Sequence, residues 1–260
     1  MKKFINNIIK YYKYAIYSAK AELKSEVADS YLNWLWWIIE PFCFMLIYTF
    51  VFGVVFKNNT PYFASFVFIG LTAWDFFNRM INGSVKLIIN NRDLVTKVYI
   101  PKYILLLSKS FTYLFKMGIS LLITFALMLY QGVPFTWHIL FIIPIFIVLY
   151  IISFGIGMIL MHFGVTLNDL GNLTNITLKM VFYLSGIFYN INERLKGKLR
   201  FFLLRLNPIA LCMNELRKVM LQGVMPNFKM LGVWLFIGIV LCVIGVSLIN
   251  DYENSYAKVI

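Results

Sequence analysis

The sequence predicts an all-α protein that crosses a membrane several times. Hydrophobic residues make up 61% of the chain and charged residues 13%, about half the charged share of a soluble domain. No Asp, Glu, Lys or Arg occurs in 117–168 or in 230–249, and about 20 apolar residues suffice for a helix to span a ~30 Å hydrocarbon core. Since these runs do not alternate polar and apolar residues and lipid offers the backbone no hydrogen bonds, they are predicted to be helices rather than barrel strands.

Turn-forming residues divide the chain into an N-terminal segment, 1–30, and a single membrane domain, 31–260. Asn and Pro follow the first apolar run, Gly and Pro follow the third, and Asn-Asp-Leu-Gly follows the fourth. These turn-forming breaks predict six spans, at about 31–56, 62–85, 103–130, 137–166, 170–191 and 230–250.

The N-terminal segment is predicted to be an amphipathic helix lying in the membrane interface. On a helical wheel its apolar residues share one face, lysines crowd one flank, and Glu22, Glu26 and Asp29 lie on the other. Such a helix binds lipid with its apolar side down. The pattern fits either a lipid anchor or a docking surface for a cytoplasmic partner.

Basic residues predict that both termini are cytoplasmic. The N-terminal segment is lysine-rich, and 86–109 carries several Lys and Arg but only one acid, Asp93, so both are placed inside. The net charge of +13 is attributed to anionic lipid headgroups rather than to nucleic acid. The connection 192–229 conflicts with the rule that basic loops lie on the cytoplasmic side, because it is also basic and must lie outside if there are six spans. Five spans would place it inside but leave one charge-poor run unused.

The sequence of this outer connection predicts two short helices dipping back into the outer leaflet. Two stretches, 201–204 and 209–213, are apolar, and Asn207-Pro208 is a favourable helix start with proline at the first helical position. Such a hairpin is tolerated in a membrane only when it packs against protein.

Ionisable residues inside predicted spans are candidate functional residues, because they are costly in lipid. Lys179 lies near the middle of the fifth span and could meet an anionic substrate group or a carboxylate of the bundle. Glu40, just before Pro41, could pair with a buried base or lie at the interface beside a kinked helix. Asp75 and Arg79 are expected to form an i,i+4 ion pair near the membrane boundary.

No motif for an enzyme, a metal or a nucleotide is present. The sequence lacks the GxxxxGK[ST] phosphate-binding loop, HExxH and GxSxG. We therefore expect that this chain binds no cofactor itself, and that any ATP-driven step uses ATP and Mg²⁺ on another polypeptide.

Short motifs in a fixed order resemble the permease subunits of type-two ABC exporters for O-antigen polysaccharide and wall teichoic acid. The matching pieces cover essentially the whole chain: SYLNWLWWIIEP at 30–41, FVFG at 50–53, GLTAWDFF at 70–77, NRDLVTKVYIP at 91–101, SGIFY at 185–189, NP at 207–208 and RKVMLQG at 217–223. The chain departs from the family pattern at Asn33, Glu40, Asn168 and Gly186, where Gly, Asn, Arg and Pro are usual.

The resemblance implies a homodimer of six-span subunits in the cytoplasmic (inner) membrane, bound by two cytoplasmic ATPase subunits. The implied substrate is a glycan or polyol-phosphate chain on undecaprenyl pyrophosphate, which enters between the first and fifth spans. The residues carried over for ATPase coupling, in a cytoplasmic coupling helix, are Asn91, Arg92, Asp93, Leu94, Val95 and Lys97. Those for the substrate pathway are Trp34, Trp37, Glu40, Phe42, Lys179, Tyr183 and Tyr189, and those for the outer hairpin are Arg194, Arg205, Asn207, Pro208 and Arg217.

Two other functions remain open at this point. The same fold could export a drug, a peptide or another lipid. Alternatively, the chain could be a membrane enzyme acting on lipid carriers, which would require acids, histidines or nucleophiles clustered at one membrane face. The eleven acids are scattered, and His138 and His162 fall on opposite halves of adjacent predicted spans.

Overall fold

A computed structural model describes residues 2–28, 31–55, 60–191, 197–253 and 256, and within them the secondary structure is entirely helical. The helices are α1 (Lys2–Ala28), α2 (Trp36–Tyr48), α3 (Phe63–Val85), α4 (Leu87–Asn90), α5 (Arg92–Lys97), α6 (Tyr103–Tyr130), α7 (Ile142–Thr166), α8 (Leu170–Leu184), α9 (Lys198–Leu206), α10 (Pro208–Arg217) and α11 (Phe228–Asp251). A 3₁₀ turn, Trp137–Phe141, leads into α7.

Helices α3 and α7 form the centre of the bundle. Helix α7 packs along α11 on one side and α3 on another, while α3 also packs against α6. Both central helices bury residues on most of their turns. The hairpin α9–α10 covers one end of this core, because α10 contacts both α3 and α7.

Glycines allow the central helices to approach closely. A Cβ added at Gly164 of α7 would overlap the backbone carbonyl of Val85, where α3 ends. A Cβ added at Gly155 would lie 2.9 Å from the backbone nitrogen of Cys242 on α11. Small residues at helix crossings give van der Waals contact between backbones, which stabilises helix pairs in lipid.

Helix α2 lies at the edge of the bundle and is irregular along its length. A 3₁₀ turn, Asn33–Leu35, precedes it, and a π-helical segment, Thr49–Val55, follows it. Pro41 lies inside the helix, and Met45 is the one buried residue of Trp36–Tyr48. With so few buried side chains, this helix packs weakly against the bundle. The proline also removes a backbone hydrogen bond and so weakens the helix internally.

Four helical segments in the described chain are long and apolar enough to cross a membrane: Asn33–Val55, Tyr103–Tyr130, Trp137–Thr166 and Phe228–Asp251. They coincide with the first, third, fourth and sixth predicted spans. The second predicted span corresponds to α3, which has 23 residues but carries charged and amide side chains on one face. The fifth corresponds to α8, which has only 15 residues.

The prediction of one span over 170–191 is wrong at its outer end, because α8 stops at Leu184. The chain turns at Gly186, whose φ is +69°. The carbonyl oxygens of Gly186 and Ile187 accept hydrogen bonds from Arg217 at 2.8 and 2.7 Å. These side-chain bonds replace the helical bonds that would otherwise continue the helix.

Helix α1 packs against α6 through its acidic flank. Lys116 Nζ lies 2.6 Å from a carboxylate oxygen of Glu26, and Lys109 pairs with Glu22. Nearer the start of both helices, Asn7 donates a hydrogen bond to the Tyr103 hydroxyl at 2.6 Å. Helix α1 therefore follows α6 over several turns. The predicted location of its apolar face in the membrane interface stays a prediction.

Candidate functional site

A cavity of about 540 Å³ opens between α2, α3, α6 and α8. Its walls combine charged and amide side chains with aromatic rings. The lining residues are Trp37, Glu40, Pro41, Phe44, Tyr48, Phe68, Leu71, Thr72, Trp74, Asp75, Asn78, Arg79, Asn82, Lys116, Ser120, Asn175, Leu178, Lys179, Phe182 and Tyr183.

One face of α3 forms the polar wall of the cavity. Asp75, Asn78, Arg79 and Asn82 recur at intervals of three and four residues, so a helix places them on one side. Arg79 Nε donates to Asp75 Oδ2 at 2.7 Å, and Asn82 Nδ2 donates to Asn78 Oδ1 at 3.0 Å. The expected i,i+4 pair of Asp75 and Arg79 is thus confirmed, and it lines the cavity.

Arg79 also joins α3 to α2. Its Nη2 lies 3.8 Å from Glu40 Oε2, and both side chains remain partly exposed. The sequence left two roles open for Glu40, and the contact identifies Arg79 as its basic partner. Arg79 is therefore shared by two carboxylates, with Asp75 the closer one.

Lys179 of α8 faces the cavity without a carboxylate partner among the described residues. Its side chain is exposed, and no carboxylate oxygen of those residues lies within 4.0 Å of its ammonium group. The other lysine of the lining, Lys116, is paired with Glu26. Lys179 is thus the cation of the described lining that a bound anion could reach without breaking an ion pair.

An aromatic cluster contributes Tyr48, Trp74 and Phe182 to the cavity lining and continues beyond it to Phe52 and Phe188. The rings of Phe52 and Phe188 stack with centroids 4.2 Å apart, and Tyr48 lies 4.7 Å from Phe188. Trp74 and Phe182 are 5.2 Å apart. These rings tie α2 and the segment that follows it to the chain after α8, and they tie α3 to α8.

Arg217 holds the outer hairpin against the bundle. It is 6% exposed and donates to the carbonyl oxygens of Phe66, Gly186 and Ile187 at 3.1, 2.8 and 2.7 Å. Its guanidinium lies 3.5 Å from the centroid of the Phe66 ring. Gly70 leaves room for this group, because an added Cβ would lie 2.5 Å from Arg217 Nη2.

The start of α10 has the predicted capping geometry. Pro208 occupies the first turn, and the side chain of Asn207 accepts hydrogen bonds from the backbone nitrogens of Ile209 and Ala210 at 3.0 and 3.2 Å. Asn207 also donates to Ser185 Oγ at 2.9 Å, which links the hairpin to the end of α8. Arg205 is exposed and stacks 3.8 Å from the Phe201 ring. Arg194 lies outside the described residues.

The segment between α3 and α6 contains two short helices rather than one continuous helix. Helices α4 and α5 meet at Asn91, whose side chain donates to the Leu87 carbonyl at 2.8 Å. Val95 is buried and Leu94 is partly buried, so both hold the segment on the bundle. The polar members Arg92, Asp93 and Lys97 are exposed, with Asp93 and Lys97 paired at 3.7 Å.

Residues that follow α11 contact both this segment and α7. Tyr99 donates to Glu253 Oε2 at 3.4 Å, and the Tyr256 hydroxyl lies 2.8 Å from His162 Nδ1. Lys102 is 5% exposed. Burial lowers the pKa of the Lys102 ammonium, and the nearby Glu253 carboxylate opposes that shift.

Comparison with known proteins identifies the family. Residues 16–221 match the family model described as ABC-2 type transporter. The chain belongs to the ABC-2 type transporter family. The predicted resemblance to ABC exporter permeases is thereby confirmed.

Several named proteins are similar to this ABC-2 type transporter along nearly their whole length. The O-antigen export system permease protein RfbA of Myxococcus xanthus is 26% identical over 99% of both chains. A protein of the same name from Klebsiella pneumoniae is 24% identical over 92% of both. The polysialic acid transport protein KpsM of Escherichia coli is 25% identical over 90% of this chain and 91% of its own.

The cavity of the ABC-2 type transporter gathers some of the predicted pathway residues and leaves out others. Trp37, Glu40, Lys179 and Tyr183 line it. Trp34, which is 55% exposed, and Phe42 do not belong to its lining. Tyr189 is also absent from the lining, but its hydroxyl donates to the Tyr183 carbonyl at 3.4 Å.

Sequence reasoning missed the amide and hydroxyl part of the lining. Asn78 and Asn82 belong to a periodic polar face of α3, and that periodicity in the sequence was the available signal. Asn175 and Ser120 come from other helices and carry no local signal. Among the described residues of the ABC-2 type transporter, no group of three or more His, Cys, Asp or Glu side chains is arranged to hold a metal ion.

Proposed function

We propose that this chain is the permease subunit of an ABC exporter that moves a polysaccharide or teichoic acid, attached to undecaprenyl pyrophosphate, across the cytoplasmic membrane. The observation that carries the proposal is Lys179, exposed and without a described carboxylate partner in a cavity whose other cations, Arg79 and Lys116, are ion-paired. The names of the similar proteins, O-antigen export permease and polysialic acid transport protein, support the polymer class.

The chemistry of the cavity suits a lipid-linked sugar diphosphate. An anion that enters a low-dielectric region needs a cation to offset its lost hydration, and Lys179 supplies one. Sugar rings pack on aromatic faces, which Trp37, Tyr183 and Phe182 offer along the same cavity. A volume of about 540 Å³ lies in the range of small-molecule sites, so it fits the diphosphate and the first sugar while the polyprenyl chain stays in lipid.

The transport cycle requires partners that supply energy and complete the path. We propose a homodimer of six-span subunits, with α3 and α8 as the second and fifth spans and both termini cytoplasmic. Two ATPase subunits bind ATP and Mg²⁺ and dock on the exposed side chains of Arg92, Asp93 and Lys97. Helix α1 lies along the membrane interface beside them.

Purified complex tests the transport function directly. The chain is co-purified with a candidate ATPase subunit and placed in lipid nanodiscs, and ATP hydrolysis is measured with and without lipid-linked glycan. We expect stimulation by the glycan carrying the undecaprenyl diphosphate. Stimulation by unrelated drugs or peptides, with no response to the lipid-linked glycan, contradicts the proposal and favours the alternative cargo.

Deletion of the gene tests the same function in cells. We expect the surface glycan to disappear while its lipid-linked precursor accumulates on the cytoplasmic side. Normal surface display in the deletion strain is incompatible with the proposed role.

A further inference from the structure

Arg79 is held by two carboxylates that differ in distance and in helix. Asp75 lies one turn away on the same helix and accepts a hydrogen bond at 2.7 Å. Glu40 comes from α2, and its nearest oxygen is 3.8 Å from Arg79 Nη2. The Glu40 side chain is 53% exposed, against 44% for Asp75. Of the two partners, Glu40 is the more easily displaced.

Glu40 lies where a proline interrupts the backbone hydrogen bonds of its helix. Pro41 follows it immediately and has no N–H to donate to the carbonyl of Trp37, so the helix can bend here. The nearby attachments of α2 to the bundle are the Glu40–Arg79 pair and an edge-on contact of the Trp37 and Phe115 rings, with centroids 5.4 Å apart. Loss of the ion pair would remove one of these two attachments and leave the ring contact of Trp37.

An anion that enters the cavity meets two kinds of cation. Lys179 has no described carboxylate within ion-pair distance, whereas Arg79 is already neutralised by Glu40 and Asp75. Lys116 is neutralised by Glu26. A headgroup with a single phosphate group is satisfied by Lys179 alone. A diphosphate has a second phosphate group, which can replace the Glu40 carboxylate on Arg79.

We propose that Glu40 is a specificity-determining residue that competes with the substrate for Arg79. A diphosphate displaces it and so releases α2 at Pro41, whereas a bulk phospholipid with a single phosphate leaves the pair closed. This mechanism rests on the proposed function, because it takes a polyprenyl diphosphate as the ligand. A phospholipid that reaches Lys179 therefore does not release α2.

Binding measurements on charge-removing variants test the competition. The full chain is placed in phosphatidylcholine nanodiscs, and the Kd is measured for undecaprenyl diphosphate, undecaprenyl monophosphate and inorganic pyrophosphate. We expect Glu40→Gln to lower the Kd for the polyprenyl diphosphate about two- to fivefold, the range of a partly exposed ion pair. The Kd for the monophosphate should not change, and inorganic pyrophosphate should bind far more weakly than the lipid.

A double-mutant cycle separates competition from a general change in charge. Arg79→Gln should weaken diphosphate binding. In the Arg79→Gln background, Glu40→Gln should not lower the Kd, because the cation for which the two anions compete is gone. Asp251→Asn removes one negative charge from an exposed site at the end of α11, away from the cavity lining, and should leave every Kd unchanged. Size-exclusion profiles and thermal melting confirm that each variant is folded.

The outcomes distinguish this inference from the function on which it rests. If wild-type protein binds no polyprenyl diphosphate, the proposed function and the competition both fail. If wild-type protein binds it but Glu40→Gln does not tighten binding, or tightens it equally for the monophosphate, only the competition fails. If Glu40→Gln still lowers the Kd in the Arg79→Gln background, the competition is also overturned.

Discussion

Two cationic side chains of this protein differ in burial and in hydrogen-bond partners. Arg217 directs its donors to three backbone carbonyls and is closed off from solvent. Lys179 is exposed in a cavity and makes no ion pair with the described carboxylates. A cation whose donors are bound to backbone stabilises the structure, while a cation left open is available to a ligand. We therefore expect substitutions at the two sites to have different consequences.

Arg217→Met should destabilise the protein. The variant keeps the length of the side chain but leaves the carbonyls of Phe66, Gly186 and Ile187 buried without their donor, at about 1–3 kcal/mol for each unpaired group. We expect the free energy of unfolding to fall by about 3 kcal/mol or more, which lowers the Tm by about 6–12 °C for a chain of this size. Thermal unfolding in detergent measures it. Arg205→Met, at an exposed arginine stacked on Phe201, serves as the control and should lower the Tm little.

Lys179→Gln should impair transport without destabilising the fold. Charge-assisted hydrogen bonds contribute about 1.5–3 kcal/mol, so stimulation of the ATPase by lipid-linked glycan should require at least about tenfold more glycan. Lys229→Gln removes an exposed charge outside the cavity lining and should behave like wild type. A normal response in Lys179→Gln would show that this ammonium does not bind the substrate.

At the scale of the elements, helix packing depends on how closely backbones can approach. Helix α7 meets the end of α3 at Gly164, where the backbone carbonyl of Val85 fills the space of a Cβ. Gly118 of α6, in contrast, has no atom within 4 Å of a Cβ placed there. The two glycines therefore offer a matched pair of alanine substitutions.

Gly164→Ala should destabilise the bundle because backbone cannot move aside as a flexible side chain can. An overpacked site typically costs about 1–3 kcal/mol, and thermal unfolding should show a lower Tm. Gly118→Ala should leave the Tm unchanged or raise it, since alanine is favoured over glycine in a helix by about 1 kcal/mol. Equal Tm values for the two variants would mean that the α3–α7 crossing does not limit stability.

The sequence predicted the apolar elements well because their signal is local. The second half of α6, all of α7 and most of α11 lie in runs without charge, and the start of α10 follows from Asn207 and Pro208. The end of α8 did not follow, because the bonds that replace its next turn come from Arg217, distant in the sequence. The pairing of Glu40 with Arg79 was likewise inaccessible, since it depends on how α2 meets α3.

The candidate site was predicted in part for the same reason. Charged residues in apolar runs drew attention to Glu40 and Lys179, which line the cavity. Phe42 was included by its position in a motif, yet it is absent from that lining. Which side of α2 faces the cavity is set by tertiary packing, and the strongly apolar sequence of this helix does not encode it.

At the scale of the whole molecule, topology decides which surfaces meet the ATPase and which meet the exported polymer. With six spans, the α4–α5 segment is cytoplasmic and the α9–α10 hairpin is outside, despite its basic residues. With five spans, the hairpin would be cytoplasmic. Exposed positions on both segments allow the two arrangements to be distinguished.

Cysteine labelling of spheroplasts tests the topology. In a variant with Cys43, Cys212 and Cys242 replaced by serine, we introduce Leu206→Cys or Lys97→Cys, at sites that are exposed in the structure. A membrane-impermeant maleimide should label Leu206→Cys in intact spheroplasts and Lys97→Cys only after lysis. Labelling of Leu206→Cys only after lysis would support five spans.

The early end of α8 also has a consequence for the bilayer. Its 15 residues rise about 22 Å, less than the ~30 Å hydrocarbon thickness. As a span, such a helix creates a hydrophobic mismatch, and the membrane around it thins or is replaced by the hairpin above. If the proposed diphosphate substrate moves along α8, it would cross a shorter insulating layer than the surrounding membrane presents. On the proposed function, the hydrogen bonds of Arg217 to the backbone after α8 would thus reduce the electrostatic work of translocation.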